Sequence, residues 1–161
     1  MSSMKAAPDW SAGKRPAPAI GALLRMAVEI VAAGQFEALA EAGFTDLRRA
    51  HRPLFHYPGI DGLRPGEIAA RRALSKQTIN DLLRDLESLG YLRLVPDPDD
   101  GRARRVRLTP RGNAMMDTLR AHSVQVGRRW ADLLGVERFA QLEQALREIV
   151  DSEQHFEPIQ F

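Results

Sequence analysis

The 161-residue chain contains no cysteine. Disulfide bonds, thiolate metal sites and cysteine nucleophiles are therefore excluded. The chain also lacks an apolar run near the roughly 18 residues of a membrane span, because Arg25 and Glu29 interrupt its most apolar part. Residues 1–18 are rich in Ser, Ala, Gly, Lys and Pro and have no signal-peptide core. These features predict a cytoplasmic protein with a flexible N-terminal segment.

Motifs that carry enzymatic chemistry are missing as well. The chain has no Gly-x-Ser-x-Gly elbow, no His-Glu-x-x-His helix, no phosphate loop and no dinucleotide fingerprint. His51 and His56 are five residues apart and would point about 140° away from each other on a helix, while His122 and His155 stand alone. We therefore expect no catalytic site, no metal and no cofactor.

A pair of short helices is predicted in the middle of the chain. Pro65 suits the first turn of a helix that runs to Ala73. After a turn at Leu74, Ser75 is a good N-cap for a second helix, and Gly90 is a good end for it. Apolar residues recur at helical spacing along the second helix and predict its buried stripe: Ile79, Leu82, Leu83, Leu86 and Leu89.

The opposite face of the second helix is polar. Gln77, Asn80 and Arg84 point away from the apolar stripe, and Lys76 and Thr78 flank it in the first turn. Side chains of these types can pair with purine edges or contact phosphates. An ordinary solvated helix face is the alternative interpretation of this segment alone.

A β-hairpin is predicted next, from the alternation of apolar and polar residues in Tyr91–Val95 and Ala103–Leu108. Two prolines and Gly101 mark its turn. The charged residues of the tip are Asp99, Asp100, Arg102 and Arg104. An arginine on a protruding loop suits a narrow minor groove, and a nearby carboxylate can orient it. The alternative is a solvated hairpin of mixed charge.

These segments resemble the winged helix-turn-helix of the MarR family of bacterial transcription regulators. The resemblance rests on ALSKQTINDLLRDLESLGYLRLV and DPDDGRARRVRLTPRG, about a third of the chain, and Asp100-Gly101-Arg102 fits the Asp-x-Arg element of the family's wing. It implies that Arg102 enters the minor groove and that Asp100 orients it. The residues predicted to face the major groove or its phosphates are Ser75, Lys76, Gln77, Thr78, Asn80 and Arg84, and we add Arg104 of the wing to the DNA-contacting set.

Amphipathic helices flank this central region. One pattern runs from Ile20 to a stop at Gly43, a second from Pro110 to Leu133, and a third covers the apolar positions between Phe139 and Val150. These helices could complete a single core, but the resemblance implies that they intertwine with a second copy of the chain.

The predicted fold is mainly α with a small β-hairpin wing: a winged helix-turn-helix between dimerisation helices at both ends. Four parts are expected, namely a flexible segment (1–18), an N-terminal dimerisation helix (19–43), the DNA-binding region (44–112) and C-terminal dimerisation helices (113–161).

The segment Thr45–Asp61 is predicted to hold a helix that begins near Arg49 or is kinked, because Pro53 falls inside it. Four of its residues are candidate effector-binding groups: His51, Arg52, His56 and Tyr57. The resemblance implies a crevice here that takes small aromatic acids and thereby weakens DNA binding. Packing or surface roles for the two histidines are the alternative.

Charge is concentrated in the central region. Between Arg64 and Arg111 there are eleven Arg or Lys and seven Asp or Glu, which leaves +4 there and −2 elsewhere. This is the electrostatic pattern of a nucleic-acid binder. We predict a sequence-specific reader of double-stranded DNA, a homodimer on a near-palindromic operator, acting as a repressor relieved by a small aromatic or phenolic effector. The alternative is a winged-helix module for a protein or RNA partner, without operator specificity.

Overall fold

A computed structural model describes residues 18–56 and 59–152. The predicted flexible segment, apart from Pro18, and the candidate effector residue Tyr57 lie outside the described residues. The elements in chain order are α1 (Ile20–Ala33), α2 (Gln35–Glu41), a 3-10 helix (Arg49–Phe55), α3 (Pro65–Arg72), α4 (Lys76–Ser88), β1 (Leu92–Pro96), β2 (Arg104–Leu108), α5 (Pro110–Leu134) and α6 (Val136–Ser152). None of the described helices is long and apolar enough to cross a membrane.

The main core lies beneath α3, α4 and the β1–β2 hairpin, which together we call the reading head. Three residues of the predicted α4 stripe, Ile79, Leu83 and Leu86, are fully buried. They share this core with Ile68 of α3 and Val106 of β2. Each fully buried side chain of this size stabilises the fold by about 1.5–3 kcal/mol, so burial of the stripe sets which face of α4 points outward.

The predicted starts of the two short helices are confirmed, and the first helix ends at Arg72, one residue earlier than predicted. The Ser75 hydroxyl accepts a hydrogen bond from the Thr78 N–H at 3.0 Å and caps α4. Ala73 ends α3 in the left-handed region, with φ 50°. Gly90 follows α4 with φ +79°, a conformation that costs glycine little and other residues more.

The hairpin is antiparallel, with Leu92 opposite Leu108 and Pro96 opposite Arg104. Both strands begin one residue later than predicted. The N–H of Tyr91 donates to the Leu86 carbonyl and so completes the end of α4. The N–H of Ala103 donates to the Asp100 carbonyl and belongs to the turn.

The N-terminal region departs from the single helix predicted up to Gly43. Gly34 separates α1 from α2, and the His122 ring of α5 lies against it. A Cβ at Gly34 would come within 2.5 Å of His122 Cε1, and His122 Nε2 lies 3.0 Å from the Val31 carbonyl oxygen at the end of α1. The break therefore comes from close packing of α5, which the apolar pattern does not reveal.

The prediction of a helix beginning near Arg49 is confirmed, but it is a 3-10 helix of seven residues rather than an α-helix. Pro53 lies inside it. Because proline has no N–H and its ring crowds the preceding turn, a regular α-helix would be disrupted at this point.

A buried carboxylate fastens the wing to α3. The Asp97 side chain is fully buried and accepts hydrogen bonds at 2.6 Å from Arg64 Nε and Arg105 Nε, and from the Asp99 N–H at 2.8 Å. Burial alone would raise the pKa of Asp97. The bonds from Arg64, the Asp99 amide and Arg105 outweigh that effect and hold this pKa well below its ordinary value of 3.8.

The start of α5 lies directly against the backbone of Tyr91, which connects α4 to β1. A Cβ at Gly112 would fall 1.9 Å from the Tyr91 carbonyl oxygen. That oxygen also accepts from the Thr109 N–H at 3.1 Å, so the backbone there has little freedom to move. Only glycine fits at this position.

Gly112→Ala is expected to destabilise the protein by about 2 kcal/mol or more, because the added methyl group overlaps a fixed backbone atom. Chemical denaturation measures this change. Gly66→Ala is the matched control, since a Cβ there meets nothing within 4 Å. That control should be neutral or stabilise by about 0.5–1 kcal/mol. Equal stability of the two variants would contradict the packing of α5 described above.

Asp97→Asn is expected to lower the urea midpoint at pH 7. The pKa of Asp97 in the folded protein lies below its pKa in the unfolded chain. The ionised side chain therefore stabilises the fold at pH values above the unfolded pKa, and this stabilisation is lost as the pH falls from the unfolded pKa toward the folded pKa. The difference from wild type should therefore shrink between pH 5 and pH 3. Asp99→Asn, whose side chain is 76% exposed, should show a much smaller effect at every pH. If the difference in urea midpoint between Asp97→Asn and wild type does not change with pH, the charge of Asp97 does not stabilise the fold in this way.

Candidate nucleic-acid interface

The outward face of α4 carries most of the residues predicted to contact DNA. Lys76, Gln77 and Arg84 are exposed, and Asn80 is half-buried. Arg84 contacts only Asp81, one turn before it, at 3.4 Å. A surface pair of this kind contributes little to stability, so the Arg84 guanidinium is available to a ligand.

Ser75 and Thr78 already have structural partners at the start of α4. Their hydroxyl oxygens are 2.7 Å apart, and the Ser75 hydroxyl is also the helix cap. Both residues are exposed. Each hydroxyl can still reach a phosphate oxygen, but the cap fixes the position of Ser75.

The wing tip presents two exposed arginines, Arg102 and Arg104. The Asp100 carboxylate accepts from the main-chain N–H of Arg102 at 3.1 Å and lies 4.0 Å from the Arg64 guanidinium. Asp100 therefore orders the loop from which Arg102 projects, through the backbone rather than through the guanidinium. Arg104 donates to the Leu94 carbonyl at 3.1 Å, across the hairpin.

The acids of the central region lie beside its structural cations. Asp97 holds Arg64 and Arg105, and Asp46 pairs with Arg111 at 2.8 Å. Within the described residues, Lys76, Arg102 and Arg104 have no ion-pair partner closer than 4.0 Å. These three exposed cations of α4 and the wing tip are therefore free to meet a negatively charged ligand.

Three residues that hold α4 in place escaped the sequence prediction: Arg48, Asp85 and Glu87. The Glu87 carboxylate accepts from the Leu94 N–H at 2.7 Å, which joins α4 to β1. Asp85 lies 2.7 Å from His51 Nε2 and also forms an ion pair with Arg48. For Asp85 and Glu87 the only sequence signal was their position beside the apolar stripe, which says nothing about their partners, and for Arg48 there was none.

The candidate effector residue His51 already has structural partners. His51 is fully buried, and both of its ring nitrogens are occupied, by the Arg48 N–H at 3.1 Å and by Asp85. Burial, followed by the Arg48 charge, lowers the pKa of His51, while Asp46 acts in the opposite sense. His51 therefore has no free polar atom to offer a ligand.

Arg52 and His56 are more accessible. Arg52 lies 3.7 Å from Glu29 of α1, and the His56 carbonyl accepts from Arg72 at 2.7 Å. His56 lies at the surface, but its ring is partly desolvated. This desolvation, and then the charges of Arg72 and Arg52, lower the pKa of His56. An effector role for Arg52 and His56 stays a prediction.

A separate cleft of about 430 Å³ lies between α1, α2 and α5. Its wall combines apolar and charged side chains, among them Ile30, Glu37, His122, Arg129 and Trp130. No three His, Asp or Glu residues of the described chain are grouped so that they would hold a metal ion.

Comparison with known proteins gives a family and a fold. Residues 46–103 match the MarR family model, whereas no curated protein matches the chain at a significant level. Wild-type MarR from E. coli superposes with a TM-score of 0.65 at 20% identity, over 83% of this chain and 98% of that one.

Two further solved structures are similar. CouR from Rhodococcus jostii RHA1, bound to p-coumaroyl-CoA, has a TM-score of 0.59 and 23% identity over 81% of this chain and 90% of that one. A mutant of MepR from S. aureus, bound to an oligodeoxyribonucleotide, has a TM-score of 0.52 and 20% identity over 84% of this chain and 99% of that one. The winged helix-turn-helix region thus matches the MarR family model over residues 46–103, and the chain shares the mainly helical fold of these solved structures.

Proposed function

We propose that the protein is a transcription regulator that reads double-stranded DNA, with α4 in the major groove and the wing tip in the minor groove. The observation that carries this proposal is the placement of unpaired cations. Lys76, Arg102 and Arg104 lie at the surface without an ion-pair partner among the described residues, while Asp97 at the base of the wing is engaged with Arg64 and Arg105. Bases are read by side chains such as Gln77, and phosphates attract the cations. The DNA-bound MepR mutant is a protein of the same fold in complex with DNA.

The proposed regulator is a homodimer on a near-palindromic operator. Neither α1 nor α6 has a single buried residue in the isolated chain. Their apolar side chains are widely exposed, including Ile20 at 72% and Val150 at 66%. Exposed apolar helix faces of this kind mark an interaction site. A second copy related by two-fold symmetry would cover it and would place two α4 helices about one duplex turn apart.

The proposed regulator is a repressor released by a small aromatic or phenolic effector. Support comes from CouR, which shares the fold and is bound to p-coumaroyl-CoA, and from the cleft between α1, α2 and α5. Trp130 and Ile30 offer that cleft an apolar wall and Arg129 offers a cation, the groups that a small aromatic acid requires. An effector changes the affinity for DNA only by preferring one of two arrangements of the dimer.

Selection of bound duplexes from a random library tests the proposed function. We expect recovery of a near-palindrome with half-sites about one turn apart, and sedimentation should give a mass twice 18.0 kDa. Recovery of no motif, with binding that disappears as salt rises, would mean backbone attraction alone. That result would reject operator recognition and favour a winged-helix module for a protein or RNA partner.

Arg102→Ala and Gln77→Ala are expected to weaken binding in different ways. Loss of Arg102 should lower operator affinity at least about tenfold, or about 1.4 kcal/mol, and should reduce the salt slope by about one. Loss of Gln77 should remove about 1–3 kcal/mol of discrimination at one base pair of each half-site and leave the salt slope unchanged. Titration of labelled duplexes at several salt concentrations measures both effects.

Arg120→Ala is the matched control for charge, since Arg120 is exposed on α5 about 15 Å along the helix from Pro110. It should bind the operator as the wild type does. If Arg102→Ala resembles this control while the fold is intact, the wing arginine does not enter the minor groove. If Gln77→Ala weakens binding to every duplex equally, Gln77 contacts phosphate rather than a base.

A further inference from the structure

Two carboxylates hold α4 from opposite sides. At about 100° per residue, Asp85 lies about 120° to one side of Ile79, at the centre of the apolar stripe, and Glu87 about 80° to the other. Asp85 meets His51 at 2.7 Å, and Glu87 meets the Leu94 N–H at 2.7 Å. Apolar contacts are non-directional, whereas hydrogen bonds on both flanks oppose rotation of the helix about its axis.

The hydrogen bonds of His51 fix its tautomer. Nδ1 faces the Arg48 N–H at 3.1 Å, which can only donate, so Nδ1 accepts and carries no proton. The proton of the neutral ring is therefore on Nε2, and Nε2–H donates to the Asp85 carboxylate. The ring itself is fully buried. Leu54 and Phe55 of the same 3-10 helix are buried as well. Packing of these side chains holds the His51 backbone, and with it the donor to Asp85, in place.

We propose that His51 is a positioning residue for DNA recognition, which sets the rotation of α4 through its Nε2–H bond to Asp85. The inference rests on the proposed function. Gln77 and Arg84 lie about 160° and 140° from the centre of the apolar stripe, so any rotation of α4 moves both relative to the bases. A small misplacement of such side chains removes base contacts, but it leaves attraction to the phosphates largely intact.

Substitutions at His51 separate its two hydrogen bonds. His51→Gln retains an N–H donor near the position of Nε2, and His51→Asn retains an acceptor near the position of Nδ1 for the Arg48 N–H. We expect His51→Gln to keep the ratio of affinities for the selected operator and for a scrambled duplex. His51→Asn should lower that ratio about tenfold, with affinity for the scrambled duplex unchanged. Loss of folded protein would instead lower both affinities together.

Asp85→Ala tests the same contact from its half-buried end, where less folding energy is at stake than at the fully buried His51. Removal of an acid near DNA strengthens binding by charge alone, so a fall in the affinity ratio would report lost positioning. Arg48→Ala is the matched control, because it removes only the exposed partner of Asp85 and keeps the backbone N–H that His51 needs. We expect a fall of about tenfold for Asp85→Ala and less than about threefold for Arg48→Ala.

Amide hydrogen exchange of the free full-length protein requires no DNA. The amides of α4 should exchange faster in His51→Asn and Asp85→Ala than in wild type, His51→Gln and Arg48→Ala. Equal exchange of α4 in all five proteins, or equal affinity ratios in the two His51 variants, would overturn the positioning role. Failure of the wild type to prefer any duplex would reject the proposed function instead, and the exchange experiment would still decide whether His51 holds α4.

Discussion

Burial of one stripe of α4 is the constraint on which the rest of the reading head depends. Ile79, Leu83 and Leu86 have no exposed surface or almost none, and the apolar residues of α3, the 3-10 helix and the hairpin close around them. Once these three side chains are inside, Gln77 and Arg84 must be outside, since their positions on the helix are fixed by the same 3.6-residue repeat. The surface that we propose to face DNA is in this sense a consequence of how the core packs.

Polar contacts then fix the orientations of α4 and the wing, which the burial of apolar side chains alone does not determine. Three carboxylates are used to place elements rather than to meet solvent: Asp97 at the base of the wing, and Asp85 and Glu87 on the flanks of α4. Charged hydrogen bonds of this kind are directional and short, so they define angles that packing cannot. Their second effect is electrostatic. Because Asp97 and Asp85 pair with structural arginines, they are not available to pair with Lys76, Arg102 or Arg104.

The sequence was sufficient for elements whose signals are local. The Ser75 cap and the long helix from Pro110 follow from residues adjacent in the chain, and both are present. Long-range contacts were not predictable. The break at Gly34 depends on His122, 88 positions later, and the tie between His51 and Asp85 spans 34 positions. No pattern in a single sequence specifies such pairs, because each partner alone resembles an ordinary polar residue.

These long-range ties also suggest why the 3-10 helix is placed where it is. His51 contacts Asp85 of α4, and the next residue, Arg52, lies 3.7 Å from Glu29 of α1. One short segment therefore contacts both a helix of the proposed dimer interface and the helix proposed to read DNA. Pro53 restricts this segment by fixing one of its φ angles. A ligand that moves α1 relative to the core would act on α4 through this segment, and tight packing of its buried side chains makes two discrete arrangements more favourable than a gradual deformation.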